Sequence, residues 1–176
     1  MVWLQTVARL VARFNRPMLW TTPSGFFVRQ EYPQMETARV KTKIGDSTIV
    51  VTKLKPSDKK LNRRKQSNGI VANYIHSLDA AALHISVNTA AAYGIKDFAL
   101  IHDSYGVHAA DVELMSQIIR KVFVEMYKRE DLLEKFRDDI IKLRLIPQDK
   151  IHLIPPLPEK GNLDLDKILE SDYFFA

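Results

Sequence analysis

From Ile70 to Ala92 the chain contains neither glycine nor proline, and Val71, Ile75, Leu78, Ala82 and Ile85 recur at steps of three and four residues. That periodicity predicts an amphipathic helix about 34 Å long at ~1.5 Å per residue. Its alanines permit close packing, and Tyr93-Gly94 supplies a residue that tolerates a left-handed end. Every other predicted element is shorter.

Ahead of it, residues 3 to 14 place Leu4, Val7, Ala8, Leu10 and Val11 on one face of a first helix, ending near Asn15-Arg16-Pro17. Residues 19 to 54 change texture. Pro23-Ser24-Gly25 and Ile44-Gly45-Asp46 punctuate β-rich runs such as Phe26-Phe27-Val28 and Ser47-Thr48-Ile49-Val50-Val51, which predict strands joined by turns. Within them, residues 37 to 43 alternate basic or hydroxyl with small or apolar side chains, as a two-faced ribbon does. The polar, Lys- and Arg-rich stretch 55 to 69 predicts a basic loop.

Beyond the long helix, Phe98-Ala99-Leu100-Ile101 predicts a short apolar strand, stopped by His102-Asp103-Ser104 and followed by a second strand from Tyr105 to Ala109. Asp111 is placed to cap a helix with the stripe Val112, Met115, Ile119, Val122 and Met126. A further helix covers about 130 to 144, then come an extended segment at 155 to 161, a short helix between Asp164 and Glu170, and an aromatic end expected to dock on protein.

The absence of cysteine excludes disulfides, thiolate metal sites and thiol nucleophiles, leaving carboxylates and histidines for any chemistry. A net charge of +5 suits a polyanionic partner, although a basic surface also serves solubility. No apolar run approaches the ~20 residues of a membrane span, and the amino-terminal residues lack the pattern of a secretory signal. Asp103, at the end of an apolar strand, sits where a metal ligand is well held. Taken alone, Asp-Ser at a strand end reads better as common turn chemistry, and one carboxylate is too few for magnesium. The tract Arg63-Arg64-Lys65 before the long helix favours phosphate or is simply a solvated charge run. His76 and Asp79 share a helical face, where they form a packed pair or face a groove.

In order, Arg64-Lys65-Gln66, Asn68-Gly69, Asn73-Tyr74-Ile75-His76-Ser77-Leu78-Asp79-Ala80 and Phe98-Ala99-Leu100-Ile101-His102-Asp103-Ser104-Tyr105-Gly106 resemble the phage, mitochondrial and plastid single-subunit RNA polymerases. His108-Ala109-Ala110-Asp111-Val112 continues the likeness. So do Trp20-Thr21-Thr22-Pro23-Ser24-Gly25 and Gln30-Glu31-Tyr32 upstream, and Lys160-Gly161-Asn162-Leu163, Ile168-Leu169-Glu170-Ser171-Asp172 and Phe175-Ala176 at the end. The related DNA polymerases carry His-Asp-Glu where this chain has His102-Asp103-Ser104.

The resemblance implies an α+β fold, part of the palm and fingers of a right-hand polymerase. Helices would pack on a short antiparallel hairpin bearing the catalytic Asp, with a second hairpin protruding. Residues 1–176 would be one partial polymerase domain: a helix over 1–18, a region resembling the promoter specificity hairpin over 19–54, the basic loop over 55–69, and a palm element with the C-terminal foot over 70–176.

It further implies that Asp103 is the motif C aspartate, holding two Mg2+ ions jointly with a motif A aspartate, and that His102 beside it has a positioning role. His76 would meet the minor groove of the product hybrid, and Arg64, Lys65 and Gln66 the nucleic-acid backbone. Arg39 and Lys41 are candidates for base or phosphate contacts on the ribbon, and Phe175 and Ala176 form the foot.

Motifs A and B have no counterpart in the 176 residues. The expectation is a DNA-directed RNA polymerase subunit, inactive alone, that acts on DNA template, RNA product and NTPs with a larger partner subunit supplying both motifs. A bacteriophage source and the cytoplasm of the bacterial host are expected with it. The alternatives are a noncatalytic nucleic-acid-binding or regulatory module that keeps the fold, and a metal phosphohydrolase, which lacks a second acidic ligand.

Overall fold

The computed structural model describes residues 1–171, Tyr173 and Phe174, with Asp58 described by its backbone alone. The expected foot, Phe175 and Ala176, lies outside the described residues.

The first helix, α1 (Val2–Arg13), buries Trp3, Leu4, Val7, Ala8, Leu10 and Val11, the stripe its spacing predicts together with the tryptophan. Asn15, at φ 55, turns the chain out of it in the left-handed conformation that Asn tolerates. β1 (Met18–Thr21) and β2 (Phe27–Gln30) pair antiparallel around Gly25, whose φ of 85 the turn requires. β3 (Pro33–Ile44) and β4 (Ser47–Leu61) form a separate two-stranded ribbon closed by Gly45 and Asp46. At ~3.3 Å per residue the ribbon reaches about 36 Å. It is exposed nearly throughout.

The segment 55 to 69 is not a loop. β4 continues to Leu61, and α2 (Arg63–Ala92) begins two residues later, its first turn capped by the Asn62 side chain accepting from the Lys65 amide at 3.0 Å. The charge run misleads because a ribbon solvated on both faces holds lysines as readily as a loop does, and a strand without further neighbours accommodates Pro56. Gly69, expected to close the loop, lies inside α2. A Cβ there would stand 2.9 Å from Tyr32 Cε2, so Gly69 is needed for close packing rather than for a turn.

The 30-residue α2 spans ~45 Å and organises the rest. Its buried residues include Ile70, Tyr74, Leu78, Ala81 and Ala90, whereas Ile75, expected in the core stripe, is 46% exposed. The stripe drifts because α2 packs different partners along its length. In its first half it meets α1, β1 and α4 (Leu132–Lys142) in a core centred on Trp20, Tyr74 and Phe136, with ring centroids 4.8 to 6.0 Å apart. The Tyr74 hydroxyl donates to the Leu132 carbonyl at 2.7 Å, and burial pushes this phenol well above its ordinary range. In its last turns α2 meets α3 (Val112–Arg129) in a second, smaller core of Ala90, Ile95, Met115, Ile118, Ile119 and Val122.

Of the stripe expected on α3, Met115, Ile119, Val122 and Met126 are buried, while Val112 is 53% exposed. Asp111 occupies the cap position of α3, but its side chain makes no capping bond. A one-turn helix, Ala109–Asp111, leads into α3 and holds Asp111 in helical backbone geometry, unlike the extended geometry that capping favours.

Asp131 does cap α4, accepting from the amides of Leu133 and Glu134 at 3.0 Å, and it pairs with Lys160 Nζ at 3.0 Å. Burial raises its pKa, but the Glu134 amide, Lys160 and the Leu133 amide outweigh that and hold the carboxyl below the ordinary carboxylate range. A folded pKa below the unfolded one contributes stability that is complete above the ordinary value and disappears as pH falls toward the lowered one. Asp131→Asn keeps an acceptor at the cap. The expected result is a shallower loss of thermal stability below about pH 4, read by melting the two proteins across a pH series.

No helix among the described residues is long and apolar enough to cross a membrane.

Candidate functional site

β5 (Ala99–Ile101) and β6 (Ser104–Gly106) pair antiparallel around the two-residue turn His102-Asp103. His102 has φ 54, the positive value a tight hairpin turn demands of its first central residue. Gly106 lies flat on Ala99, where a Cβ would meet Ala99 Cβ at 3.1 Å. The hairpin leans on the second core through Phe98, Tyr105 and Val107. Burial pushes the Tyr105 phenol up; the Ser86 hydroxyl opposes that, and the carboxylates of Asp79 on α2 and Asp103 at the turn add smaller upward pushes.

The sequence predicts a short apolar strand before Asp103, and the structure leaves it uncovered. Ala99 is exposed, Leu100 is 37% exposed and Ile101 69%. A pair of three-residue strands is too short to be stable by itself. Its support comes from the second core behind it, while the apolar side chains of Leu100 and Ile101 are left in solvent.

Asp103 is exposed at the hairpin tip, and among the described residues it has no hydrogen-bond or ion-pair partner. It suits one corner of a hard-cation site, since Mg2+ commonly takes one or two carboxylates and completes its shell with water and phosphate oxygens. Among the described residues no group of three or more His, Asp or Glu side chains is assembled that could hold a metal ion.

The residues expected to meet nucleic acid divide into three groups. Arg64 and Lys65 are exposed in the first turn of α2, where helix N-terminus and cations act together on an anion. His76, ~18 Å further along the helix, is exposed and lines an open groove of about 700 Å³ with Ser24, Tyr32, Asn73, Ser77 and His84. Arg39 and Lys41 lie on one face of β3 opposite Thr52 and Val50. Lys43, opposite Thr48, extends that face; the two-residue period contained it, although sequence reading stopped at Lys41.

Gln66 is a correction. It has no exposed surface and bonds to Gln30, so it cannot touch a nucleic-acid backbone. Its neighbours Arg64 and Lys65 suggested a polar surface, but a single residue step, about 100° around the helix, separates facing solvent from facing β2.

The C-terminal segment is fastened to α3. Arg120 Nη1 donates to the carbonyls of Ile168 and Ser171, its guanidinium lies 5.7 Å from the Phe174 ring centroid, and Phe123 meets the same ring edge-on at 5.1 Å. Phe174 thereby joins the core on which Tyr105 rests. Of the aromatic end expected to dock, Phe174 does so while Tyr173 is 87% exposed, and nothing in the local pattern around Arg120 distinguishes it as the anchor.

The family model for DNA-dependent RNA polymerase matches residues 1–146. Over 178 aligned residues covering 99% of this chain, it is 37% identical to the mitochondrial DNA-directed RNA polymerase 1 of Nicotiana sylvestris, spanning 16% of that protein. It is 35% identical to DNA-directed RNA polymerase 2A of Nicotiana tabacum, spanning 49% of it, and 35% identical to the chloroplastic polymerase 3 of Nicotiana sylvestris, spanning 17%. The chain belongs to the DNA-dependent RNA polymerase family of the phage and mitochondrial type.

The bacterial host cytoplasm expected from the sequence is overturned, because polymerases 1 and 3 of Nicotiana sylvestris are mitochondrial and chloroplastic enzymes. The mitochondrial relative aligns over 99% of the chain.

Proposed function

We propose that this chain contributes the motif C carboxylate, Asp103, to an organellar DNA-directed RNA polymerase. Its motifs A and B come from sequence outside these residues, on the same polypeptide, as in the longer relatives, or on a larger partner subunit. The observation that supports this most is His102-Asp103 at the turn of an exposed apolar hairpin, in a chain of polymerase lineage. In this reading β5, β6 and α2 belong to the palm, and the β3–β4 ribbon takes the place of a promoter specificity hairpin.

Asp103 and the motif A aspartate would together hold two Mg2+ ions. Bound there, such ions lower the pKa of the attacking 3′ hydroxyl and neutralise charge on the leaving pyrophosphate. The chain's own residues do the rest. The turn aims the Asp103 carboxylate outward, and Tyr105 anchors the hairpin from below. His102 positions the primer end. His76 faces the product hybrid, while Arg64, Lys65, Arg39 and Lys41 bind backbone or base edges of DNA template and RNA product. The direct test is extension of an RNA primer on a template scaffold by the complete polymerase with Mg2+ and NTPs. Extension by these 176 residues alone would overturn the division of the site.

The cationic assignment has its own expected result. If Arg64 and Lys65 each neutralise a phosphate, replacing both with Ala lowers the slope of log affinity against log salt by about 1.8 on duplex DNA. Fluorescence anisotropy across a sodium chloride series measures it, and an unchanged slope would mean a merely solvated charge run.

A further inference from the structure

The two strands of the β3–β4 ribbon leave the body of the protein side by side, and their root is unusually well tied. The Asn62 amide donates to the Tyr32 carbonyl at 2.8 Å, joining the residues just outside the strands. On the β4 side, Asn15 Nδ2 donates to the Lys59 carbonyl at 2.7 Å and Asn15 Oδ1 accepts from the Leu61 amide at 2.9 Å.

Beneath the root lies a buried cluster of amides. Gln30 Nε2 donates to the carbonyl oxygen of Gln66 at 2.8 Å and to its Oε1 at 2.9 Å, and Gln66 Nε2 donates back to the Gln30 carbonyl at 3.2 Å. Asn73 Nδ2 donates to Gln30 Oε1 at 2.8 Å and to the Tyr32 hydroxyl at 3.0 Å. The Tyr32 ring then covers Gly69 so closely that no side chain fits there.

Amides that exchange bonds in both directions are all satisfied at only one relative placement of their two backbones, and inside a protein an unmet partner is costly. The cluster therefore fixes β2, and through Tyr32 the start of β3, against α2. The ribbon is a lever ~36 Å long, so a tilt of about 5° at its root moves its tip roughly 3 Å, close to the ~3.4 Å rise of one base step.

We propose that Gln30, Tyr32, Gln66, Gly69 and Asn73 are positioning residues that set the angle of the ribbon, and with it the register in which its Arg39, Lys41 and Lys43 face meets DNA. Gln66 acts on nucleic acid through this angle. The part concerning DNA rests on the polymerase reading; the part concerning the angle does not.

The absence of native cysteine permits spin labels at Thr48→Cys near the ribbon tip and Asn88→Cys on α2, both exposed sites. Dipolar distance measurement on the whole chain is expected to give one narrow distribution. Asn73→Ala or Gly69→Ala should broaden or shift it by several ångströms, and Tyr32→Phe, which keeps the ring over Gly69, by less. A distribution unchanged in all three variants overturns the proposal.

In the complete polymerase the same substitutions should lower promoter-directed initiation roughly 10- to 100-fold, the scale of an ångström-level misplacement. For Gly69→Ala, the one of the three that lies outside the groove lined by His76, extension on a preassembled RNA–DNA scaffold should stay within about twofold. Equal loss on both templates would show a structural role alone and overturn the assignment. If the unsubstituted protein transcribes neither template, the polymerase reading has failed, and the distance distributions alone support or overturn the positioning role.

Discussion

Asp103→Asn is expected to abolish nucleotide addition by the complete polymerase, lowering kcat by roughly 10³-fold or more, since loss of even one oriented dipole in an active site costs 10²–10³. The substitution keeps the shape of the side chain and removes the charge that would bind divalent metal. Two features of the hairpin make the result interpretable. Asp103 is exposed and outside both cores, so Asn should alter thermal stability by no more than about 0.5 kcal/mol. The turn is shaped by the positive φ of His102 and by Gly106 against Ala99, neither of which the substitution touches. Scaffold affinity should accordingly stay within about twofold while chemistry is lost, the pattern of an interaction made only in the transition state. Activity retained in Asp103→Asn would favour a noncatalytic module that has kept the family's fold.

Much of the fold follows from local pattern. The stripe of α1, the glycine turns at Gly25 and Gly45, the His102-Asp103 turn and the long helix are visible because each obeys a single period or a single backbone requirement. Reading fails where one residue answers to two neighbours. Gln66 is polar, follows three cations and is buried, because β2 supplies another Gln in reciprocal register. Gly69 looks like a loop end and is a packing site for Tyr32, thirty-odd positions earlier. Arg120 belongs to a plain amphipathic helix until the C-terminal segment folds back across it. The site divides in the same way: the chain's own sequence marks Asp103 through its family resemblance, while the exposure of Leu100 and Ile101 beside it is visible only in three dimensions.

Phe136→Ala should cost about 3–5 kcal/mol of folding stability, a large share of the roughly 5–15 kcal/mol typical of a domain. Phe136 is 1% exposed and is the ring on which Trp3, Trp20 and Tyr74 converge, at 6.2, 5.9 and 4.8 Å. Those partners come from three different elements, α1, β1 and α2, so no single backbone movement can close the space the ring leaves. Their own attachments resist collapse as well. Trp3 Nε1 is bonded to the Pro155 carbonyl, Trp20 Nε1 to Ser77 Oγ, and Tyr74 to the Leu132 carbonyl. Tyr74→Phe, which removes only that last bond, should cost about 1 kcal/mol, and Ile75→Ala on the half-exposed face of α2 should cost less than Phe136→Ala by several-fold. Urea unfolding followed by tryptophan fluorescence ranks the three, because Trp3 and Trp20 both report on this core. A Phe136→Ala midpoint within error of the Ile75→Ala midpoint would mean that α4 is not part of the core that holds α2, and so not part of what supports the hairpin and ribbon at its two ends.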